Sequence, residues 1–218
     1  MFGFLGLSFS MLATDVKPTR IDRVRFKLED LLNNFNEGET ALVGYAGDAF
    51  VISPLTHDAN TISSLISGLH PNIMPVPGSR AALGVKLASD LLSRSIGSQG
   101  HIILVTDGIE ESEISAIKNA SGTNEFSILA VGTEAGSPIA LKAGGFLKDR
   151  NGAIVIPKLN LKPLSKLANQ VNGELTLLSP DDRDVNQIIA EKLQKVVIQK
   201  MSKNEPQTSG MKKVLGCF

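Results

Sequence analysis

Apolar residues recur along the chain in two alternating patterns: short continuous runs, and longer segments with apolar positions three or four residues apart. The continuous runs predict buried β-strands. They cover Phe2–Leu7, Thr40–Tyr45, Ala49–Ser53, Ile102–Val105, Phe126–Val131 and Glu174–Leu178. The spaced positions predict helices with one apolar face. These cover Arg20–Phe35, Ile62–Leu69, Ser79–Ser93, Glu110–Ala120, Leu161–Val171 and Asp182–Met201. Because strands alternate with helices, we predict an α/β fold: a doubly wound, mainly parallel, Rossmann-like sheet with helices on both faces.

Turn-forming residues separate these elements. Gly47 and Asp48 divide two strands, and Asn151-Gly152 predicts the turn of a hairpin over Phe146–Ile156. Thr56 or Asp58 is a candidate cap for the second helix, and Ser79 for the third. We predict a single domain over residues 1–201 and, because residues 202–218 are mainly polar, a flexible C-terminal tail there.

Charge and cysteine content narrow the functional classes. The 22 basic residues balance 22 acidic ones, so no basic excess favours nucleic-acid binding. The single Cys217 excludes an intramolecular disulfide and a cysteine-rich zinc site. The histidines His57, His70 and His101 do not have the spacing of a zinc motif.

Membrane-spanning segments are not expected, because no stretch reaches the roughly 18 apolar residues that a bilayer requires. The longest apolar region, Met1–Ala13, has no basic start and no convincing cleavage site. We therefore interpret it as a buried first strand, and expect the chain as written to be a soluble unit.

Polar oxygen-bearing residues follow several predicted strands. Ser8 and Ser10 come just after the first strand, Ser79 precedes the third helix, and Asp107 follows the apolar strand Ile102–Val105. In parallel sheets the carboxyl ends of the strands share one edge, where ligands usually bind. Hydroxyl and carboxylate oxygens are ligands that suit Mg²⁺.

These four positions resemble the metal ion-dependent adhesion site (MIDAS) of von Willebrand factor A (VWA) domains. That family carries Asp-x-Ser-x-Ser after the first strand, a Thr or Ser from a second loop, and an Asp after the fourth strand. Ser8, Ser10, Ser79 and Asp107 match. Longer stretches resemble the bacterial BatB-type (aerotolerance) branch, from about Ser8 to about Ile189. They include SMLATDVKP, AGDAFVISPLT, PNIMPVPGS, HIILVTDG and GFLKDRNGAIVIPKL.

The chain departs from the family pattern at Gly6, where the resemblance calls for Asp. Three neutral hydroxyls and one carboxylate remain, and Mg²⁺ gives up its water reluctantly, so this loss of charge weakens the expected site. The resemblance therefore implies a degenerate MIDAS with weakened Mg²⁺ affinity.

The resemblance also implies a function in protein interaction. A partner carboxylate would complete the coordination of an ion held by Ser8, Ser10, Ser79 and, through water, Asp107. The partners would be proteins, including related VWA proteins, in a membrane-associated stress-tolerance complex. Members of this branch are membrane-anchored by flanking helices that this chain lacks as written. The alternative is a structural or assembly domain that works without metal.

A serine hydrolase is the remote alternative. The segment Gly6-Leu7-Ser8-Phe9-Ser10 comes near the Gly-x-Ser-x-Gly nucleophile elbow but ends in Ser. The last histidine, His101, precedes the final strands, so the order Ser, acid, His cannot be assembled. The chain also lacks a P-loop and a Gly-x-Gly-x-x-Gly motif after a strand. We expect no enzymatic activity.

Overall fold

In the part of the chain that the structure describes, six strands and six α-helices follow one another in the order that the apolar pattern predicts. The structure, a computed structural model, describes residues 2–34 (side chains from residue 6), 38–94, 100–141 and 143–191. The strands are β1 (Phe2–Gly6), β2 (Thr40–Tyr45), β3 (Ala49–Thr56), β4 (His101–Thr106), β5 (Glu125–Ala130) and β6 (Glu174–Leu177). The helices are α1 (Arg20–Asn34), α2 (Ala59–Ile66), α3 (Ala81–Leu92), α4 (Ile114–Ser121), α5 (Leu161–Gln170) and α6 (residues 183–191).

The strands form one six-stranded sheet in the order β3-β2-β1-β4-β5-β6. Only β3 runs antiparallel, against β2; the other neighbouring pairs are parallel. In register, Phe4 of β1 lies between Val43 of β2 and Leu104 of β4. The carboxyl ends of β1, β2, β4, β5 and β6 therefore lie along one edge, which we call the carboxyl edge. The predicted mainly parallel sheet is confirmed.

Helices cover both faces of the sheet, as predicted. Successive residues of a strand point to opposite faces, so β2 and β4 each supply two apolar surfaces. One face packs against α3, α4 and α5, and its core includes Val43, Leu104, Val85, Ile117 and Leu164. The other packs against α1, α2 and α6, and its core includes Leu42, Ile103, Val24, Ile62 and Ile188.

A buried ion pair fastens α6 to α1. Lys27 of α1 is almost fully buried, and its Nζ lies 2.9 Å from Oδ1 of Asp184 and 3.7 Å from Oδ1 of Asp182. The same ammonium donates to the backbone carbonyl of Asp181. These contacts hold the start of α6 against the middle of α1.

Two predicted elements differ in detail. The predicted helix over Glu110–Ala120 begins as a 3₁₀ turn at Glu111–Glu113, and only then becomes α4. The predicted strand over Ala49–Ser53 continues to Thr56. Pro54 is tolerated there because β3 lies at the edge of the sheet, where a missing amide hydrogen leaves no ladder bond unmade.

The predicted hairpin over Phe146–Ile156 forms only as one isolated bridge, Lys148–Ile154, and a second bridge, Ala140–Phe146, joins its start to the preceding segment. Asp149 explains the local shape, because its Oδ1 accepts the amide hydrogens of Asn151 at 2.8 Å and of Ala153 at 2.9 Å. This side-chain turn replaces a regular two-residue hairpin turn.

Some predictions fall outside the described residues. Phe35, the segment 192–201 of the predicted closing helix, the predicted tail 202–218 and Cys217 are among them. The domain boundary at residue 201 stays a prediction. Across the part of the chain that the structure describes, the helices are all too short or too polar to reach through a bilayer.

Candidate functional site

Ser8 and Ser10 lie side by side at the carboxyl end of β1. Their hydroxyl oxygens are 2.6 Å apart, and both residues are half-buried. Ser8 is the N-cap of a 3₁₀ turn over Phe9–Leu12 that contains Ser10, and the amide of Met11 donates to the carbonyl of Ser8 at 3.1 Å. Met11 is buried and anchors this turn, while Phe9, which separates the two serines in the sequence, is 44% exposed.

Asp107 follows β4 at the same edge and contacts two groups. Nη1 of Arg20 donates to its Oδ2 at 3.0 Å, and the hydroxyl of Ser10 lies within hydrogen-bonding reach. Burial raises the pKa of Asp107 above its ordinary value, although the Ser10 hydrogen bond and the charge of Arg20 both oppose that rise. Ser8, Ser10 and Asp107 therefore form a contiguous group of oxygen atoms.

Arg20 is the centre of a buried charge cluster. Its side chain is 0% exposed, against 4% for Asp15 and 10% for Asp107. Its Nε and Nη2 donate to the two oxygens of Asp15, at 2.8 and 2.7 Å, a bidentate arrangement. Nη2 also donates to the carbonyl of Pro157 at 2.9 Å. One guanidinium thus links the loops after β1, β4 and β5.

Asp15 extends this cluster to the loop after β5. Its Oδ2 accepts the Thr133 amide hydrogen at 2.7 Å and its hydroxyl at 3.0 Å. Burial acts to raise the pKa of Asp15, but the hydrogen bonds from Arg20 and Thr133 and the Arg20 charge lower it below its ordinary value. Gly132 permits this approach: a Cβ there would lie 2.6 Å from Cζ of Arg20.

Ser79 lies on the loop that precedes α3, with its side chain exposed. It is not the cap of that helix, as the sequence had suggested; Arg80 occupies the N-cap position. The Oε2 atom of Glu113 accepts the amide hydrogen of Ala81 at 3.1 Å and so satisfies the helix start from a different segment. This contact ties the loop of Ser79 to the segment after Asp107.

Of the two candidate caps of the second helix, Asp58 is the cap, and its side chain accepts the amide hydrogens of Asn60 and Thr61.

Gly6, the last residue of β1, lies against Tyr45, its register partner on β2. A Cβ at position 6 would be 3.0 Å from the hydroxyl oxygen of Tyr45 and 3.2 Å from its Cζ. Tyr45 is buried, and its ring also lies against Gly84, where a Cβ would be 3.0 Å from Cδ1. Burial raises the pKa of Tyr45. A hydrogen bond with Thr106 opposes this rise, and the charges of Asp107 and Glu113 add to it. Tyr45 is therefore a neutral phenol at physiological pH.

The four predicted metal ligands are of the right chemical type for Mg²⁺, but their charge does not fit a tightly held divalent ion. Asp107 is the one carboxylate among them, and Arg20 already compensates it. Within the described residues, no group of three or more His, Cys, Asp or Glu side chains is arranged to hold a metal. Removing water from Mg²⁺ costs free energy that its protein ligands must offset, and neutral hydroxyls offset little of it.

Comparison with known proteins agrees with this architecture. The von Willebrand factor type A domain family matches residues 5–110. The chain has the VWA fold. No curated protein matches the chain at a significant level.

Two solved structures resemble this VWA domain along nearly its whole length. The crystal structure of the conserved hypothetical protein BatB from Bacteroides thetaiotaomicron is 25% identical, with a TM-score of 0.78, and covers 93% of this chain and 96% of that one. An aerotolerance-related membrane protein from Bacteroides fragilis is also 25% identical, with a TM-score of 0.77, covering 93% of this chain and 98% of that one. A von Willebrand factor type A protein from Catenulispora acidiphila, at 16% identity and a TM-score of 0.61, shares the fold.

The structure adds residues that sequence reasoning on the VWA site missed: Asp15, Arg20, Tyr45 and Glu113. In the sequence, Arg20 is marked only as the first residue of a predicted helix, and Tyr45 only as the last residue of a predicted strand. The quoted stretch SMLATDVKP contains Asp15, so an acid in that stretch and an arginine five residues later were the available signal. Their pairing depends on the path of the loop, which spacing does not define.

His101 lies far from Ser8. It begins β4, whereas Ser8 follows the end of the parallel strand β1, so about 15 Å of strand separates the two ends. Its Nε2 instead lies 2.7 Å from the hydroxyl of Ser127, which in turn is 3.2 Å from Oε2 of Glu191. Sequence reasoning named no partner for this histidine.

A groove of about 300 Å³ opens beside Ser8 at the carboxyl edge. We call it the Phe9 groove. It lies between the turn after β1 and the proline-rich segment before α3, and is lined by Leu7, Ser8, Phe9, Pro71, Asn72, Met74, Pro75 and Pro77. Ile73 and Val76 of the same proline-rich segment are 50% and 46% exposed. The surface next to the serine pair is thus uncharged and largely apolar.

Proposed function

We propose that this VWA domain is a protein-interaction module that binds its partner at the carboxyl edge without a bridging metal. The observation that carries the proposal is the Phe9 groove, in which an exposed aromatic side chain lines the surface next to Ser8. Exposed aromatic side chains beside small polar groups are typical anchors of protein interfaces.

The local charge supports a metal-independent form. The positive charge beside Asp107 comes from Arg20, a residue of the protein itself, and not from a bound ion. Ser8 and Ser10 can donate and accept hydrogen bonds with a partner. Recognition would then rest on apolar burial at Phe9 and on hydrogen bonds at the serine pair.

The metal-bridged form is the second candidate. The 2.6 Å separation of the Ser8 and Ser10 hydroxyls and the proximity of Ser10 to Asp107 favour it. Ser8, Ser10, Ser79 and, through water, Asp107 would hold Mg²⁺, which would supply the positive charge for a partner carboxylate. With Gly6 in place of an acid, we expect weak affinity.

Capture of partners tests both forms. The immobilised full chain is incubated with a bacterial extract, bound proteins are identified, and the affinity for the identified partner is measured with and without EDTA. We expect Phe9→Ser to weaken binding at least tenfold and EDTA to leave it unchanged. Phe26→Ser is the matched control, because Phe26 is an exposed phenylalanine on α1 (53%, against 44% for Phe9) that does not line the groove.

The possible results separate the candidates. Binding lost in EDTA and restored by Mg²⁺ would establish the metal-bridged form. Equal losses with Phe9→Ser and Phe26→Ser would show that the groove is not the interface.

The cellular setting forms a separate part of the proposal. The Bacteroides fragilis protein is described as an aerotolerance-related membrane protein. We propose that this chain takes part in assembling a membrane-associated stress-tolerance complex with related VWA proteins. Co-purification of the chain with such proteins from membranes tests this part, and its absence from their complexes would contradict it.

A further inference from the structure

The strongest unexplained relationship in the molecule is that between Gly6 and Tyr45. The two residues are register partners on adjacent parallel strands at the carboxyl edge. The Tyr45 hydroxyl oxygen lies 3.0 Å from the place where the Cβ of any other residue at position 6 would be. An added Cβ at position 6 would therefore fit only if the Tyr45 phenol shifted by a few tenths of an ångström.

Tyr45 cannot easily move aside. It is buried, and Gly84 of α3 lies directly against its ring: a Cβ at Gly84 would be 3.0 Å from Cδ1 and 3.1 Å from Cγ. The ring is therefore confined between α3 and β1. A close-packed interior resists such displacement, since added atoms force neighbouring side chains out of their preferred rotamers.

The hydroxyl also belongs to the polar surroundings of the candidate site. Asp107 and Glu113 act on it electrostatically, and Thr106 forms a hydrogen bond with it. A neutral phenol thus lies beside the Cβ position of any side chain that replaced Gly6. Arg20 compensates Asp107 from the other side.

We infer that Tyr45 occupies the space of the acid that position 6 lacks, so that the site is closed to divalent cations and a single change at position 6 cannot reopen it. This inference rests on the metal-independent form of the proposed function and names its structural cause. It couples two positions: an acid at position 6 needs a smaller neighbour at position 45.

Four full-length proteins test the coupling: wild type, Gly6→Asp, Tyr45→Phe, and the double variant Gly6→Asp/Tyr45→Phe. Binding of Mn²⁺ is measured by electron paramagnetic resonance, binding of Mg²⁺ by titration calorimetry, and the Tm with and without each ion. We expect no binding by wild type or Tyr45→Phe. Gly6→Asp should have a lowered Tm, and the double variant should bind at least tenfold more tightly than Gly6→Asp.

A matched control separates the steric effect of a side chain at position 6 from the effect of its carboxylate on metal binding. Gly6→Ala/Tyr45→Phe adds a Cβ and removes the phenol oxygen without adding a carboxylate. The inference requires that Mg²⁺ raise the Tm of Gly6→Asp/Tyr45→Phe but not that of this control. That comparison remains valid even if Gly6→Asp alone fails to fold.

Three results would overturn the inference: Mg²⁺ binding by wild type, equal affinity of Gly6→Asp and the double variant, or no binding by the double variant. None of them depends on a partner. Failure of the proposed function appears elsewhere, as equal partner capture by Phe9→Ser and Phe26→Ser, so the two failures are distinguishable.

Discussion

Arg20 and Asp107 form a buried ion pair, 3.0 Å between Nη1 and Oδ2, at the carboxyl edge of the sheet. The arginine side chain has no exposed surface, and it also holds both oxygens of Asp15. A guanidinium suits this position because its planar fork can serve two carboxylates and a carbonyl at once. The loops of the VWA edge are therefore held together by charge.

Removing the guanidinium should destabilise the fold strongly. Arg20→Met leaves Asp15 and Asp107 buried without their cation, a situation that costs about 3–5 kcal/mol in the free energy of unfolding. Urea denaturation at pH 7 measures the loss. Lys86→Met is the control, because the Lys86–Asp90 pair on α3 is exposed and worth about 0.5 kcal/mol or less. Equal losses in the two variants would contradict a structural role for the cluster.

Asp15 and Asp107 should respond to pH in opposite directions. The folded pKa of Asp15 is lowered, so its contribution to stability is present above its unfolded value of 3.8 and is lost as pH falls through the folded value. The folded pKa of Asp107 is raised, so its contribution is present below its unfolded value of 3.8 and is lost as pH rises through the folded value.

Unfolding free energies measured from pH 3 to 7 test this contrast. The destabilisation caused by Asp15→Asn should grow with rising pH, whereas the titration-dependent part of that caused by Asp107→Asn should decline. Parallel profiles for the two variants would show that the assigned directions are wrong.

Lys27 should control the attachment of α6. Lys27→Met leaves Asp184 buried without its cation, so we expect a loss of about 3 kcal/mol. Hydrogen exchange should show lost amide protection in residues 183–191 before any change in the sheet. Lys166→Met, which breaks an exposed pair with Glu111, is the control. Uniform loss of protection throughout the chain would exclude a local role for Lys27.

Ser8 should not act as a nucleophile. Its hydroxyl neighbour is Ser10, and His101 lies at the opposite edge of the sheet. An activated ester should therefore be hydrolysed no faster with the purified chain than in buffer alone, and the rates with Ser8→Ala and wild type should be the same. A measurable rate that Ser8→Ala abolishes would restore the hydrolase alternative.

The sheet and its two helical layers were predictable because burial on both faces leaves a strong signal. The runs at Thr40–Tyr45 and Ile102–Val105 are almost purely apolar, and each is a central strand covered by helices on both faces. The 3₁₀ start before α4 was not predictable, since its residues have no apolar periodicity of their own.

The proximity of Ser8, Ser10 and Asp107 was predictable from the sequence, but the electrostatics around them were not. Strand ends indicated Ser8, Ser10 and Asp107, because parallel strands finish at one edge. The contact of Arg20 with Asp107 joins residues 87 positions apart. The contact of Tyr45 with Gly6 depends on strand register, which no local pattern in the chain specifies.

The position of β1 inside the sheet has a consequence for synthesis on the ribosome. β1 lies between β2 and β4, yet about 95 residues separate its end from the start of β4. At typical elongation rates of 5–20 residues per second, β4 is synthesised roughly 5–20 s after β1, and until then one side of β1 has no strand to pair with. Throughout that interval the emerging chain exposes the hydrogen-bonding groups of its future central strand, the kind of surface that recruits other nascent chains.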